Sequence, residues 1–246
     1  MTDRQWPTGK KLFDEIKRLQ GHGKVILAFS RGKDAIAAAV GILDHFDEVI
    51  PVYYDPMPGL DLTAESIHYF EQKLFGRKIH IVPHPNMMRM LKNYVFQDPT
   101  GFFVANAIDW PRWTHELVRQ HICRIEKLPS ETYQATGVRA ADSVTRRTAL
   151  IKHGPITPSK HTFHCVWDWN KERVIKEINA RGIRMPEDYS IWGRTLDGVD
   201  ARFMIPLRQH RPADYERVRT MFPFIEADIM RYERIRAEQA HMRGEK

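Results

Sequence analysis

The chain has 246 residues, 42% hydrophobic and 28% charged, which is ordinary for a globular protein and enough for one large α/β domain with a small appendage. No stretch approaches the roughly 18 uninterrupted apolar residues of a membrane span, and the polar N-terminus lacks a signal-peptide core, so we expect a cytoplasmic protein without membrane contact. The net charge is +7, and residues 111–160 hold nine Lys/Arg against four Asp/Glu, which suits a nucleotide, a nucleic acid or simply a solvated basic face.

Short apolar runs alternate with longer stretches in which apolar residues have helical spacing. In chain order, the sequence predicts a helix over 10–20, a strand over 24–29, a helix over 34–46, a strand over 48–54, a helix over 63–75 capped by Thr63, a strand over 78–82, a helix over 113–127, a strand over 132–136, a helix over 142–152, a strand over 163–166 and a helix over 171–181. The remaining residues look less regular, with a closing helix over 226–238. This alternation predicts an α/β fold with a doubly wound, mostly parallel sheet.

The first predicted strand is followed by the turn Ser30-Arg31-Gly32-Lys33-Asp34. Ligands of doubly wound sheets bind at the carboxyl ends of strands, near the point where the strand order reverses. A glycine there lets the backbone approach an anion, the amides of the next helix point at it, and Ser30 and Lys33 add a hydroxyl and a cation. Asp34 is out of place beside phosphate unless it caps the helix, orients the turn or helps to hold a metal. A turn without any ligand is the alternative.

This turn is too short for the mononucleotide P-loop, in which four residues separate the first glycine from the Gly-Lys pair. It resembles the Ser-Gly-Gly-x-Asp-Ser loop of the PP-loop superfamily, which contains the ATP pyrophosphatases and the phosphoadenosine phosphosulfate (PAPS) reductases. Arg31 replaces a glycine and Ala35 the final serine, so Arg31 either supplies compensating charge or marks a changed ligand. The resemblance implies an adenine nucleotide alpha-hydrolase fold, with a nucleotide-binding domain over 1–185 that includes the N-terminal helix. A C-terminal extension over 186–246 is expected to pack on that domain.

Three further segments carry the same resemblance. Asp55 and Gly59 follow the second strand as in the family's Asp-Thr-Gly segment, which implies a place near adenine and ribose; a turn without further role is the alternative. Residues 137–146 fit the family pattern G-x-R-x-x-[DEQ]-S-x-x-R, and otherwise form an ordinary basic helix. The nucleotide-binding residues implied there are Gly137, Arg139, Ser143 and Arg146. Because parallel strands end at one sheet edge, the turn at residues 137–139 and the turn at residues 30–34 are expected to be neighbours. Residues 186–198 resemble the tails of phage-encoded PAPS reductase-like proteins.

The chain has two cysteines, Cys123 and Cys165. The family's reductases attack with a C-terminal thiolate, and its iron–sulfur members need four cysteine ligands, so we expect neither an internal nucleophile of that kind nor a cluster. We interpret Cys165 as a buried, inert thiol and Cys123 as a remnant or a residue near the ligand. The histidines lack the spacing of metal ligands and are interpreted as surface or packing residues: His153, His161 and His164.

The resemblance implies an enzyme that binds ATP or a PAPS-like nucleotide and leaves room for Mg²⁺, although no protein ligands for a metal are predicted. In one reaction ATP adenylates an acceptor oxygen and pyrophosphate leaves, and in the other a thiol from elsewhere reduces a sulfonucleotide. The candidate catalytic residues are Lys33, Asp34, Arg139 and Arg146. A non-catalytic phage factor that acts on nucleic acid through residues 111–160, in the host cytoplasm, is the alternative from another class. The sequence does not predict the oligomeric state.

Overall fold

The computed structural model describes residues 5–110 and 112–243, so the ends of the two predicted domains and the first residue of the basic region lie outside it. The strands are β1 Lys24–Ala28, β2 Glu48–Asp55, β3 His80–Pro83, β4 Gln134–Thr136, β5 Ile156–Thr157 and β6 Thr162–His164. The helices are α1 Gly9–Gln20, α2 Lys33–Leu43, α3 Asp61–Phe70, α4 Pro85–Lys92, α5 Phe102–Ala107, α6 His115–Ile125, α7 Val144–His153, α8 Lys171–Ala180, α9 Asp188–Trp192, α10 Ala201–His210, α11 Pro212–Met221 and α12 Ile225–Met242. None of the helices in these ranges combines the length and the apolar character that crossing a bilayer requires.

The strands form one sheet in the order β3-β2-β1-β4-β6-β5. β1 runs parallel to β2 and to β4, β4 runs parallel to β6, and the short edge strand β5 runs antiparallel to β6. The chain first builds the sheet outward from β1 on one side and then continues on the other side through β4. The predicted α/β fold with a doubly wound, mostly parallel sheet is therefore confirmed, and its strand order reverses between β1 and β4.

The centre of the sheet is apolar on both faces, as expected for parallel strands covered by helices. Val25, Ile26 and Leu27 of β1 are fully buried in succession. Helix α2 is rich in alanine, and a side chain at its Gly41 would lie 3.2 Å from Val166. Small residues thus let α2 approach its neighbours closely.

The chain divides into two compact units. The first comprises Met1–Tyr54, Ser66–Val82 and Thr114–Pro186, and the second comprises Asp55–Glu65, Pro83–Trp113 and Glu187–Lys246. The second unit thus includes two segments that precede the predicted boundary between residues 185 and 186. That boundary, and the packing of the extension on the nucleotide-binding domain, stay predictions.

The second unit has its own apolar core, in which the buried side chains of α10, α11 and α12 pack together. The prediction that the residues after 186 are less regular is wrong, because they form α9 to α12. Pro206 lies inside α10, and Pro212 occupies the first turn of α11, where the missing amide costs nothing. These prolines and the many charges conceal the helical spacing. The predicted closing helix is confirmed and extends to Met242.

The predicted start of α3 at Thr63 is wrong by two residues. The helix begins at Asp61, and the carboxylate of Asp214 accepts the amide hydrogens of Asp61 and Leu62 at 2.8 and 3.0 Å. Thr63 is buried in the first turn instead of capping it. A cap that comes from 152 residues away in the chain leaves no local signal.

Candidate functional site

The turn between β1 and α2, residues 30–34, lies at the carboxyl end of the central strand (loop 30–34). β1 is flanked by β2 and β4, so the loop stands where the strand order reverses. Ser30 is exposed, and Gly32 is the N-cap of α2 with extended backbone. Because glycine has no side chain, Gly32 cannot cap the helix, and the amides of the first turn need an acceptor from outside that residue.

Arg31 adopts a left-handed backbone conformation, with φ of +64°, at the position where the family loop has glycine. Only 1% of the residue is exposed. Its guanidinium lies 5.1 Å from the ring centre of Tyr53, and Nη2 donates to the Tyr53 hydroxyl at 3.4 Å. The two interpretations that the sequence left open, compensating charge and a changed ligand, both stay predictions. The Arg31 side chain belongs to the protein interior.

Charged side chains of alternating sign connect loop 30–34 with the start of α7. We call them the charge chain, and their contacts are Lys33 Nζ to Asp34 Oδ2 at 2.7 Å, Asp34 Oδ1 to Arg139 Nε at 2.8 Å, Arg139 Nη2 to Asp142 Oδ1 at 2.7 Å, and Asp142 Oδ2 to Arg146 Nη1 at 2.9 Å. Arg139 at its centre is 95% buried and also donates to the carbonyl of Trp169 at 3.2 Å. Three cations against two carboxylates leave the chain with a net positive charge.

The charge chain explains why an aspartate stands in a predicted phosphate site. Each carboxylate oxygen of Asp34 lies against a cation, one from Lys33 and one from Arg139. These contacts fit the second of the three roles considered for Asp34, which is to orient the loop. Over the described ranges, no group of three or more His, Cys, Asp or Glu residues is arranged to hold a metal ion.

Loop 30–34 and the turn at residues 137–139 are in direct contact, as predicted from the parallel strands. A side chain at Gly137 would lie 2.4 Å from the carbonyl oxygen of Asp34, so only glycine fits between these backbones. Ser143 is the N-cap of α7, and its Oγ accepts the amide hydrogen of Arg146 at 3.2 Å. Arg146 contacts the loop only indirectly, through the charge chain, and its side chain is 53% exposed.

Asp55 and Gly59, the other two predicted nucleotide-binding residues, belong to the second unit. Asp55 is the last residue of β2 and is buried, and its Oδ1 accepts the amide hydrogen of Met57 at 3.0 Å. Gly59 is exposed and has φ of +86°, a backbone conformation that favours glycine. Both residues thus have a clear role in shaping the turn after β2, and their role towards a nucleotide stays a prediction.

Both cysteine thiols are buried. Burial raises the pKa of the Cys123 thiol, and it raises the pKa of the Cys165 thiol to about 12. Cys123 Sγ lies 3.8 Å from a guanidinium nitrogen of the buried Arg119. Because the thiolate is the reactive form, neither side chain is poised as a nucleophile in this structure.

The sequence interpretation missed one polar pair at the carboxyl edge of the sheet. Thr136 ends β4 and His164 ends β6, and Thr136 Oγ1 shares a hydrogen bond of 2.6 Å with His164 Nδ1. Burial, and then the charge of Arg146, lower the pKa of the His164 imidazole, which favours the neutral ring. The position of both residues at strand ends was the signal that could have identified them.

No protein-family model and no curated protein matches this sequence. Among solved structures, the chain is similar to the phosphoadenylyl-sulfate (PAPS) reductase of Candida auris in a phosphate complex, with 11% identity, a TM-score of 0.45, and coverage of 78% of this chain and 88% of the reductase. It is also similar to the NH3-dependent NAD synthetase of Campylobacter jejuni in complex with the nitrate ion, with 10% identity, a TM-score of 0.46 and coverage of 91% of both chains. At these values the likeness carries no argument about what the chain binds.

Proposed function

We propose that this chain is an enzyme that binds ATP, or a related adenylyl nucleotide, with its phosphates at loop 30–34. The observation that carries the proposal is the construction of the loop at the end of β1. Gly32 opens α2 without capping it, Lys33 follows at once, and Asp34 is tied to the buried Arg139. Helix amides, a cation and a rigid support are what a phosphate group needs.

In the proposed reaction, an acceptor oxygen attacks the α-phosphorus of ATP, the bond from that phosphorus to the bridging oxygen breaks, and pyrophosphate leaves with the bonding electrons. Lys33 and the first amides of α2 stabilise the negative charge on the departing phosphates. Arg139 acts through Asp34 as a positioning residue, because its guanidinium is buried among protein acceptors. Arg146, at the exposed end of the charge chain, keeps the predicted role of a second phosphate contact.

The reaction without a protein thiol is preferred because both cysteines are buried and their pKa values are raised. Reduction of a sulfonucleotide would require an attacking thiolate, and neither Cys123 nor Cys165 is placed to supply one. A reductase using a thiol from another molecule stays the alternative reaction. It is distinguished by its products, because it releases sulfite and no pyrophosphate.

Calorimetric titration with ATP, AMP and PAPS tests the site. We expect wild-type protein to bind at least one of them, and Gly32→Val and Lys33→Ala to lose that binding with little loss of stability. A branched side chain at Gly32 would obstruct the approach of phosphate to the backbone. Lys10→Ala is the control, since Lys10 is an exposed cation of α1 that pairs with Asp14. Wild-type affinity in both loop variants would eliminate loop 30–34 as the site, and release of pyrophosphate from ATP by wild-type protein then tests the reaction.

A second candidate, binding of nucleic acid, is favoured by the exposure of the basic region. Of its nine Lys/Arg residues only Arg119 and Arg139 are buried, and α7 presents Arg146, Arg147 and Lys152 to solvent. Phosphate contacts made by such cations weaken steeply as salt increases. Association with DNA or RNA that falls between about 50 and 200 mM salt, without nucleotide turnover, would favour this function over the enzyme.

A further inference from the structure

An open cavity of about 540 Å³ lies in the first unit, between α7 and the edge strands β5 and β6. Val138, Leu150 and Ile156 give it apolar walls, and Arg146, His153 and His164 are its basic residues. Among the described residues that line the cavity, none is an aspartate or a glutamate. An apolar space with basic groups and no acidic ones selects an organic anion.

The cavity wall is firmly built. Gly154 ends α7 with φ of +81°, and a side chain there would lie 2.7 Å from the ring of Trp6. The indole of Trp6 in turn donates to the carbonyl of Ile151 at 2.8 Å. Helix α7 is otherwise exposed, with Leu150 as its one buried residue within the described structure. Trp6 and Gly154 therefore hold the C-terminal end of α7 in place over the cavity.

The basic groups are arranged for a single negative charge. Asp142 engages Nη1 of Arg146, which leaves Nη2 as a terminal nitrogen for a ligand. Thr136 engages Nδ1 of His164, which leaves Nε2 as the ring nitrogen that can bond a ligand. Arg146, already shared with a carboxylate, and the imidazole of His164 match a carboxylate better than a doubly charged phosphate. The third basic residue of the lining, His153, is exposed to solvent.

We propose that this cavity is a binding site for a monocarboxylate with an apolar body, whose head group bonds Arg146 and His164. The inference does not rest on the proposed nucleotide function, because no residue of loop 30–34 lines the cavity, and Arg146 is the residue that both proposals use. Val138 belongs to the turn that contacts the loop, so the carboxylate would lie beside the proposed nucleotide site.

The test uses 4-phenylbutyrate as the probe, with 4-phenylbutanamide and phenyl phosphate for comparison, in calorimetric titrations without nucleotide. We expect the carboxylate to bind about tenfold or more tightly than the amide, because a charge-assisted pair with Arg146 is lost in the amide. Arg146→Met should remove this preference. The control Arg147→Met should keep it, since the neighbouring Arg147 does not line the cavity.

A second pair of variants tests the space itself. Ala149 lines the cavity and Thr148, next to it on α7, does not, so Ala149→Phe should abolish binding of the carboxylate whereas Thr148→Phe should not. Absence of binding, equal affinity for carboxylate and amide, tighter binding of phenyl phosphate, or equal losses in Arg146→Met and Arg147→Met would each overturn the proposal. Failure of ATP to bind at loop 30–34 would overturn the proposed function and leave these results unaffected.

Discussion

A methyl group added at Gly137 would fall 2.4 Å from the carbonyl oxygen and 2.6 Å from the carbonyl carbon of Asp34, and 3.0 Å from the amide nitrogen of Ala35. All three are backbone atoms, so no rotation of a side chain can relieve the contact. Ordinary contacts of a Cβ atom begin at 3.4 Å. Loop 30–34 and the turn at residues 137–139 must therefore separate by about 1 Å in Gly137→Ala.

This separation has two consequences. Forcing one extra methyl group into a packed region costs about 1–3 kcal/mol, so we expect the free energy of unfolding to fall by that amount. The same shift stretches the contact between Asp34 and Arg139, which measures 2.8 Å, and moves the first amides of α2. If loop 30–34 holds phosphate, the affinity for ATP should fall by about tenfold or more, which is a loss of about 1.4 kcal/mol.

Urea unfolding followed by circular dichroism measures the first effect, and calorimetric titration with ATP measures the second. Gly198→Ala is the matched control, because the nearest atoms to its new methyl group would lie at an ordinary 3.6 Å and its backbone has no positive φ. We expect Gly198→Ala to retain the stability and the ATP affinity of the wild type. If Gly137→Ala also retained both, the close approach of the two turns would be refuted.

Four further predictions concern the charge chain and the cysteines. Arg139→Ala should lower the free energy of unfolding in urea by about 3 kcal/mol, because it leaves Asp34 and Asp142 without a buried partner. Arg146→Ala removes an exposed ion pair and should lower it by about 1 kcal/mol or less. Equal losses in the two variants would contradict the burial of Arg139. Together the two substitutions should weaken binding of ATP much more than binding of adenosine, and equal weakening would indicate general damage. Native protein should react slowly with a thiol reagent at pH 8 and quickly in denaturant, since burial raises the pKa of both thiols; rapid native labelling of Cys123 would contradict this. Purified protein should be colourless and free of stoichiometric iron, because two cysteines are too few for the four ligands of an iron–sulfur cluster. An absorbance band near ~400 nm together with bound iron would contradict this prediction.

The sheet and the position of the candidate site could be predicted from the sequence because both depend on short-range patterns. Val25 to Leu27 form an uninterrupted apolar run, which is typical of a strand buried on both faces. A turn rich in small and charged residues directly follows it, and the carboxyl ends of parallel strands meet at one sheet edge. The contact between loop 30–34 and the turn at Gly137 follows from those two facts.

The partners of the charged residues could not be predicted, because they come from distant parts of the chain. Arg139 and Arg146 look alike in the sequence, but one is buried against Asp34 and the other is half-exposed beside a cavity. Arg31 stands in a turn, and its sequence position does not show that its side chain lies over Tyr53 in the interior. The sequence by itself determined which residues reach the sheet edge, because the periodicity of strands and helices is a local property. Only the tertiary structure decided which charges neutralise each other and which remain for a ligand, because burial and pairing depend on non-local contacts.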